Sequence, residues 1–285
     1  MGRRLADLFH GRPRLQVGTL LAGPMGWLVI GYLGSLAVLL ITAFWTLGEL
    51  SGEIQRTATL DNFRQIAEEP VYRDVAQRTI LIAALVTLTD ALLTFPLAFY
   101  MAKVARPGVK ALLVVAVMVP LWSAYLVKAY AWRTILSEDG PLNWALAPLG
   151  LHGPGYGIVA VWLVMSYLWL PYMVIPVYAG LERIPGSLLN ASEDLRAKPA
   201  YTFRRVILPL VFPAVVAGSI FTFSLTLGDF IAPSLVGSGD QFIGTVVYST
   251  ITTNLPLAAA FATVPIVVMV LYLLLARRLG AFEHV

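Results

Sequence analysis

A single carboxylate, Asp90, stands eleven residues from either end of 79–101, a stretch with no other Asp, Glu, Lys or Arg. An acid at bilayer depth costs at least about 2.5 kcal/mol on insertion scales, so it should face protein or water rather than lipid. Two roles suit it. It can draw a cation along a translocation path, or it can pack as an acid hydrogen-bonded to Thr87, Thr89, Thr94 or another helix. Asp229, just past the apolar run 206–227, offers the same two roles nearer a membrane face. Aromatic residues are plentiful, among them Trp122, Tyr125 and Trp169, and ring faces attract ammonium groups. The same residues also serve as interfacial anchors or in helix packing. Asp90, Trp122, Tyr125, Trp169 and Asp229 are therefore the candidates for a path. Lys128, able to snorkel to the interface, receives no role. Catalysis and metal binding are not expected. The three histidines, His10, His152 and His284, fall at the two ends and in a loop, and no His-x3-His spacing occurs. No Gly-x4-Gly-Lys-Ser/Thr is present to cradle a nucleotide phosphate.

The elements that must hold these residues follow from the balance of the chain. Its 285 residues are 58% hydrophobic and 13% charged, with mean hydropathy +0.77. Soluble domains run near 45–50% apolar and about 25% charged, so a soluble enzyme, a disordered chain and a nucleic-acid-binding domain are excluded despite a pI of about 9.4. With no cysteine, disulfides, thiolate metal sites and Cys lipidation are excluded too. Spanning helices of about 20 residues are expected at 24–47, 79–101, 109–126, 157–178, 206–227 and 257–275, behind a cytoplasmic segment 1–23. The first is expected to be a retained anchor rather than a signal peptide, because the apolar run is too long and lacks a small-x-small cleavage site. The alternating segments of a β-barrel are absent. The fold class expected is an all-α integral membrane protein.

Charge gives the orientation. Fourteen of the twenty Lys and Arg fall on one side of a six-span chain, which places both termini in the cytoplasm. The outer segment 49–78 carries six acids. Within it Leu60-Asp61-Asn62-Phe63 and Pro70-Val71-Tyr72 read as short helices, with Asp61 as N-cap. That segment is either a solvated loop or a docking surface for an extracytoplasmic partner.

The most polar cytoplasmic segment is 181–205. Ser187 can cap a short helix on which Leu188, Leu189, Ser192 and Leu195 recur at helical spacing. Lys198-Pro199 breaks it, and Pro199 suits the first turn of a second helix leading into the fifth span. An interfacial amphipathic hairpin is the plain reading.

At these residues the chain resembles the permease subunits of binding-protein-dependent ABC importers, whose cytoplasmic "EAA" loop runs Glu-Ala-Ala, three residues, Gly, then about nine residues to Ile-x-Leu-Pro. Ala191-Ser192 stand at the two small positions and Val206-Ile207-Leu208-Pro209 at the ending, but Asn190 replaces the Glu and Arg196 the Gly. Either the turn shifts toward Lys198-Pro199, or this subunit couples less symmetrically than its partner. Asp61-Asn62-Phe63, Pro120-Leu121-Trp122, Tyr130-Ala131-Trp132, Gly140-Pro141-Leu142-Asn143 and Gly228-Asp229-Phe230 narrow the likeness to the spermidine/putrescine-type branch.

The resemblance implies a type I ABC importer permease fold in a bacterial inner membrane, and a non-catalytic role. It implies a partner ABC ATPase dimer that binds ATP and Mg, a second permease subunit, an extracytoplasmic substrate-binding protein and surrounding lipid, with no cofactor on this chain; that second subunit is a copy of this chain or a paralogue, and the departures at Asn190 and Arg196 favour the paralogue. Leu188, Leu189, Leu195 and Phe203 would give the ATPase its apolar contact around Asn190, Ala191 and Ser192, with Glu193, Asp194 and Arg196 at the rim. The solute would be a polyamine, with ferric ion, thiamine or another small solute as alternatives. An ion-coupled carrier using Asp90 and a non-transporting scaffold are the competing classes, although no convincing inverted repeat supports the carrier.

Overall fold

A computed structural model describes residues 13–48 and 52–278. The chain divides into two compact units, Met1–Gln65 with Thr250–Phe261, and Ile66–Ser249 with Ala262–Val285.

In the first unit, helix α1 (Pro13–Trp27) passes through a π turn, Leu28–Leu33, into α2 (Gly34–Thr42). Strands β1 (Thr46–Leu47) and β2 (Ile54–Gln55) pair antiparallel, Thr46 opposite Gln55 and Leu47 opposite Ile54. Helix α3 (Asp61–Glu68) begins in this unit. The buried Asn62 ties its start down by donating to the carbonyls of Ala43 and Trp45 at 2.9 and 2.8 Å. Phe63 packs on Phe44, ring centroids 5.1 Å apart.

The second unit is built on α4 (Pro70–Phe99), α8 (Ile158–Glu182) and α11 (Leu208–Gly228), which pack against one another. Their apolar faces form two clusters, one of Ile82, Val86, Val161, Met165 and Leu168 and a second of Ala98, Met173, Val177, Leu181 and Val211. Close approach of α8 and α11 requires glycine. A Cβ on Gly180 would lie 2.5 Å from that of Ala214, and one on Gly218 2.6 Å from Met173 Sδ. Around this core run α5 (Pro107–Trp122), α6 (Tyr125–Leu136), α7 (Pro141–Leu146), α9 (Gly186–Asp194), α10 (Pro199–Thr202), α12 (Ile231–Val236) and α13 (Ile243–Thr250); α14 (Leu255–Arg278) crosses the boundary between the units.

Among the described residues, five helical stretches are long and apolar enough to cross a bilayer: Leu20–Thr42, Pro70–Val104, Ile158–Glu182, Pro199–Gly228 and Leu255–Arg278. A sixth exists if α5 and α6, bent by 97° at Ser123-Ala124, count as one. Several expectations are corrected here. The stretch 109–126 is broken rather than continuous, because Ser123 and Ala124 are extended (ψ 144° and 137°). The first helix starts at Pro13 and stops at Thr42, and Thr46-Leu47 leaves it for a strand. Pro70-Val71-Tyr72 is the first turn of the long α4, where Pro at the helix start costs no hydrogen bond. Asp61 is in the first turn of α3 and its amide donates to Thr59 Oγ1 at 3.1 Å, so Thr59 does the capping. Ser187 likewise lies inside α9, preceded by Pro185 as N-cap. His10 and His284 lie outside the described residues.

Candidate functional site

Two breaks in helices create one site. At the first, α5 ends and Tyr125 opens α6; at the second, α11 ends at Gly228 and Asp229 precedes α12. Each break leaves backbone groups that need partners. Lys128 Nζ and Ser123 Oγ donate to the carbonyl of Pro120 at 2.9 and 3.0 Å, so Lys128 holds the first bend. Asp229 holds the second, its Oδ1 accepting the amides of Ile231 and Ala232 at 2.9 and 3.3 Å. The Tyr125 hydroxyl donates to the same carboxylate, 2.6 Å from Oδ2. Burial holds the Asp229 carboxyl above its ordinary value, and the Tyr125 hydroxyl and the two amides offset only part of that rise.

Around this pair the rings continue. Tyr125 stacks on Trp169 at 5.7 Å, and Trp169 tilts against Tyr172 at 5.9 Å. A pocket of about 330 Å³ opens between Tyr125, Trp169, Ser224, Gly228, Asp229 and Phe230, and no Lys or Arg lines it. One carboxylate among aromatic faces favours a cation and disfavours an anion.

Of the five path candidates, Tyr125, Trp169 and Asp229 converge on this pocket, and Trp122 and Asp90 do not. Trp122, at the end of α5, is 88% exposed. Asp90 is 0% exposed and neither oxygen has a hydrogen-bond partner in the protein. The threonines named for it are engaged elsewhere or unpartnered: Thr87 donates to the carbonyl of Ala83 at 2.7 Å, Thr89 accepts from Trp162 Nε1 at 3.1 Å, and Thr94 Oγ1 has no partner.

On the opposite side of the unit, α9 and α10 form the expected helix–turn–helix. The amides of Arg196 and Ala197 donate to the carbonyls of Glu193 and Ser192 at 2.7 and 3.0 Å, a Schellman ending with Arg196 at the left-handed position, φ 53°. The turn is therefore not shifted toward Lys198-Pro199; arginine adopts the conformation that glycine favours. Ser192 Oγ and Thr202 Oγ1 share a hydrogen bond of 2.7 Å that closes the hairpin. Pro209 lacks an amide proton and crowds the preceding turn, and the chain takes a π turn over Phe203–Ile207 before α11.

The coupling candidates separate by face. Leu195 is 83% exposed and Leu188 is exposed, and with Ala191, Ser192 and Tyr201 they line a groove of about 640 Å³. Asn190, Glu193, Asp194 and Arg196 are exposed beside it. Leu189 instead packs on the cluster of Ala98, Met173 and Val177, and Phe203 sets its ring edge-on to Phe95 at 5.0 Å. Tyr201 went unnoticed in the sequence, although it stands six residues past Leu195. So did Lys103, whose Nζ donates to the Ile184 carbonyl at 2.7 Å, and Lys110, paired with Glu182, both of which grip α8 where it leads into α9.

Residues 72–281 match the family described as the binding-protein-dependent transport system inner membrane component. The chain belongs to this family. It is 45% identical to the inner membrane ABC transporter permease protein YdcU of Escherichia coli K12 over 98% of this chain and 95% of that one. It is 31% identical to the spermidine/putrescine transport system permease protein PotB of the same organism, over 89% and 94%. Two structures of a bacterial ABC transporter for the acidic polysaccharide alginate share its fold. The transporter itself gives a TM-score of 0.75 at 18% identity over 96% of this chain and 99% of that one. Its complex with an alginate-pentasaccharide-bound periplasmic protein gives 0.73 at 18% identity over 93% and 94%.

The permease is thus a non-catalytic, multi-helix component of an inner-membrane ABC importer. That membership overturns the ion-coupled carrier and the non-transporting scaffold as readings of the chain.

Proposed function

We propose that this permease forms half of a translocation path for a small organic cation, a polyamine of the spermidine/putrescine class. The observation that carries this reading is the convergence of Tyr125, Trp169 and Asp229 on one pocket without a basic residue. An ammonium group gains both from the carboxylate and from the ring faces. An acidic solute such as alginate would meet an uncompensated negative charge there. The likeness to PotB supports the same class.

In this reading a periplasmic binding protein delivers the solute, a paralogous second permease completes the path, and a cytoplasmic ATPase dimer binds ATP and Mg and drives it. The family's own description supports the first of these. The same reading takes six spans with both termini in the cytoplasm, the pocket toward the outside and the α9–α10 hairpin against the ATPase. Leu188, Leu195 and Tyr201 enter the ATPase groove, while Leu189 and Phe203 pass its movement to α4 and α8.

The test is uptake of labelled putrescine and spermidine by the assembled importer, beside a binding measurement on its companion periplasmic protein. Asp229→Asn removes the charge and leaves the shape, so uptake falls by about tenfold or more, a charged hydrogen bond being worth about 1.5–3 kcal/mol. Uptake of an anion, or full amine uptake by Asp229→Asn, overturns the reading.

A further inference from the structure

Among the described residues, five buried side-chain polar atoms lack a hydrogen-bond partner: both oxygens of Asp90, Thr94 Oγ1, Ser166 Oγ and Trp169 Nε1. All belong to two neighbouring helices, α4 and α8. Leaving such a group unpaired costs about 1–3 kcal/mol, and more when it is charged. Scattered orphans would be packing accidents; these occupy one level of the bundle.

Three contacts fix that level. Toward the outside, Trp162 of α8 donates to Thr89 of α4 at 3.1 Å. Toward the inside, Ala98 of α4 shares a cluster with Met173 and Val177 of α8. Between those pins, residues 90–97 of α4 run beside 163–172 of α8, which contain all four orphaned residues. The third wall is α11, where Thr222 Oγ1 lies 3.4 Å from Thr87 Oγ1 on one side of the level and Gly218 abuts Met173 on the other.

We propose that this layer is a binding site for an alkali cation of the sodium class, held by the Asp90 carboxylate and the hydroxyls of Thr94 and Ser166. The donor set is two carboxylate and two hydroxyl oxygens, hard ligands that suit alkali and alkaline-earth ions and not zinc or copper. Among the described residues no group of three His, Cys, Asp or Glu side chains gathers anywhere, so a transition-metal site is not in competition. The ligand set carries one negative charge, and Asp90 forms no ion pair, so a monovalent cation neutralises it where a divalent ion would leave an excess. The occupant must also be small. Asp90 has no exposed surface and lies apart from the outer pocket, which shuts out a polyamine chain. The Trp169 indole N–H is a donor and cannot ligate the ion. This site is independent of the transported solute.

Thermal unfolding of the purified transporter with its companion subunits in lipid nanodiscs, in equimolar sodium chloride or choline chloride, tests the assignment. A ligand that binds only the folded state raises its stability with concentration. Sodium should raise the unfolding temperature by about 2–4 °C over choline. Asp90→Asn should abolish that increment. Ser166→Ala, a milder change, should keep it but move its midpoint to about tenfold higher sodium. Equal unfolding temperatures of the unmodified transporter in the two salts would overturn the site in favour of water or a protonated acid. An increment that survives in Asp90→Asn would place sodium elsewhere. If Asp90→Asn does not assemble, an unmoved midpoint in Ser166→Ala overturns the site by itself.

Discussion

Arg196 is a side chain kept in a conformation that costs a non-glycine residue about 1–2 kcal/mol. Both Schellman hydrogen bonds form around it, so the strain lies in the backbone angle and not in lost contacts. Arg196→Gly should therefore stabilise the permease by about 1 kcal/mol, read as a raised unfolding temperature in detergent, while Arg196→Val lowers it. An unchanged temperature for the glycine variant would show that the arginine side chain compensates the strain with a contact of its own. The sequence alone disclosed the departure from glycine but not its outcome, since a shifted turn and a strained one read alike there. Asp90 illustrates the opposite limit. Its isolation in an apolar run was plain, yet its lack of partners depends on Ser166 and Trp169, more than seventy residues away on α8.

For whole elements, hydrophobic length found nearly every long helix, and Pro199 found the start of α10. The bend between α5 and α6 escaped because apolar residues continue on both sides of Ser123-Ala124, and composition carries no sign of direction. What marks the bend is polar bookkeeping: a freed carbonyl at Pro120 and the lysine that answers it. Lys128→Met should cost about 1 kcal/mol, since Ser123 still serves that carbonyl, and Lys128→Arg should cost less. Unfolding temperatures of the two variants check this, and equal values would remove Lys128 from the bend. On the α9–α10 hairpin, the proposed ATPase contact would bury the exposed leucines and leave the charges at its edge. Leu195→Ala should reduce transport by about tenfold or more, because apolar anchors at an interface centre are worth about 2 kcal/mol, whereas Glu193→Ala should change it less than about twofold. Uptake assays giving the reverse order would move the ATPase contact off the α9 face.

For the molecule as a whole, charge rather than hydrophobicity carries direction. If the chain crosses six times, fourteen of its twenty basic residues fall on one side, which predicts that a fluorescent protein fused after Val285 folds and fluoresces in the cytoplasm. A periplasmic phosphatase inserted at Gly52 should be active. Inactivity at Gly52 with a dark C-terminal fusion would invert the orientation. Family membership was legible early because it rests on order and spacing along the chain, which survive substitutions such as Asn190. The candidate pocket was less so, because it is assembled from distant segments: Tyr125, Trp169 and Asp229 are neighbours only after three helices meet.

Trp169 is shared between two environments. Its ring lines the pocket beside Tyr125 and Asp229, while its indole nitrogen is buried without a partner, as the oxygens of Asp90 are. Indole fluorescence responds to local polarity and to hydrogen bonding at that nitrogen, so one chromophore built into the chain reports on both. Subtracting the emission of a Trp169→Phe transporter from that of the parent isolates its signal from the other six tryptophans. Under the two proposals, the difference spectrum reports, without an added dye, solute arriving at the pocket separately from sodium titrated into the Asp90 layer.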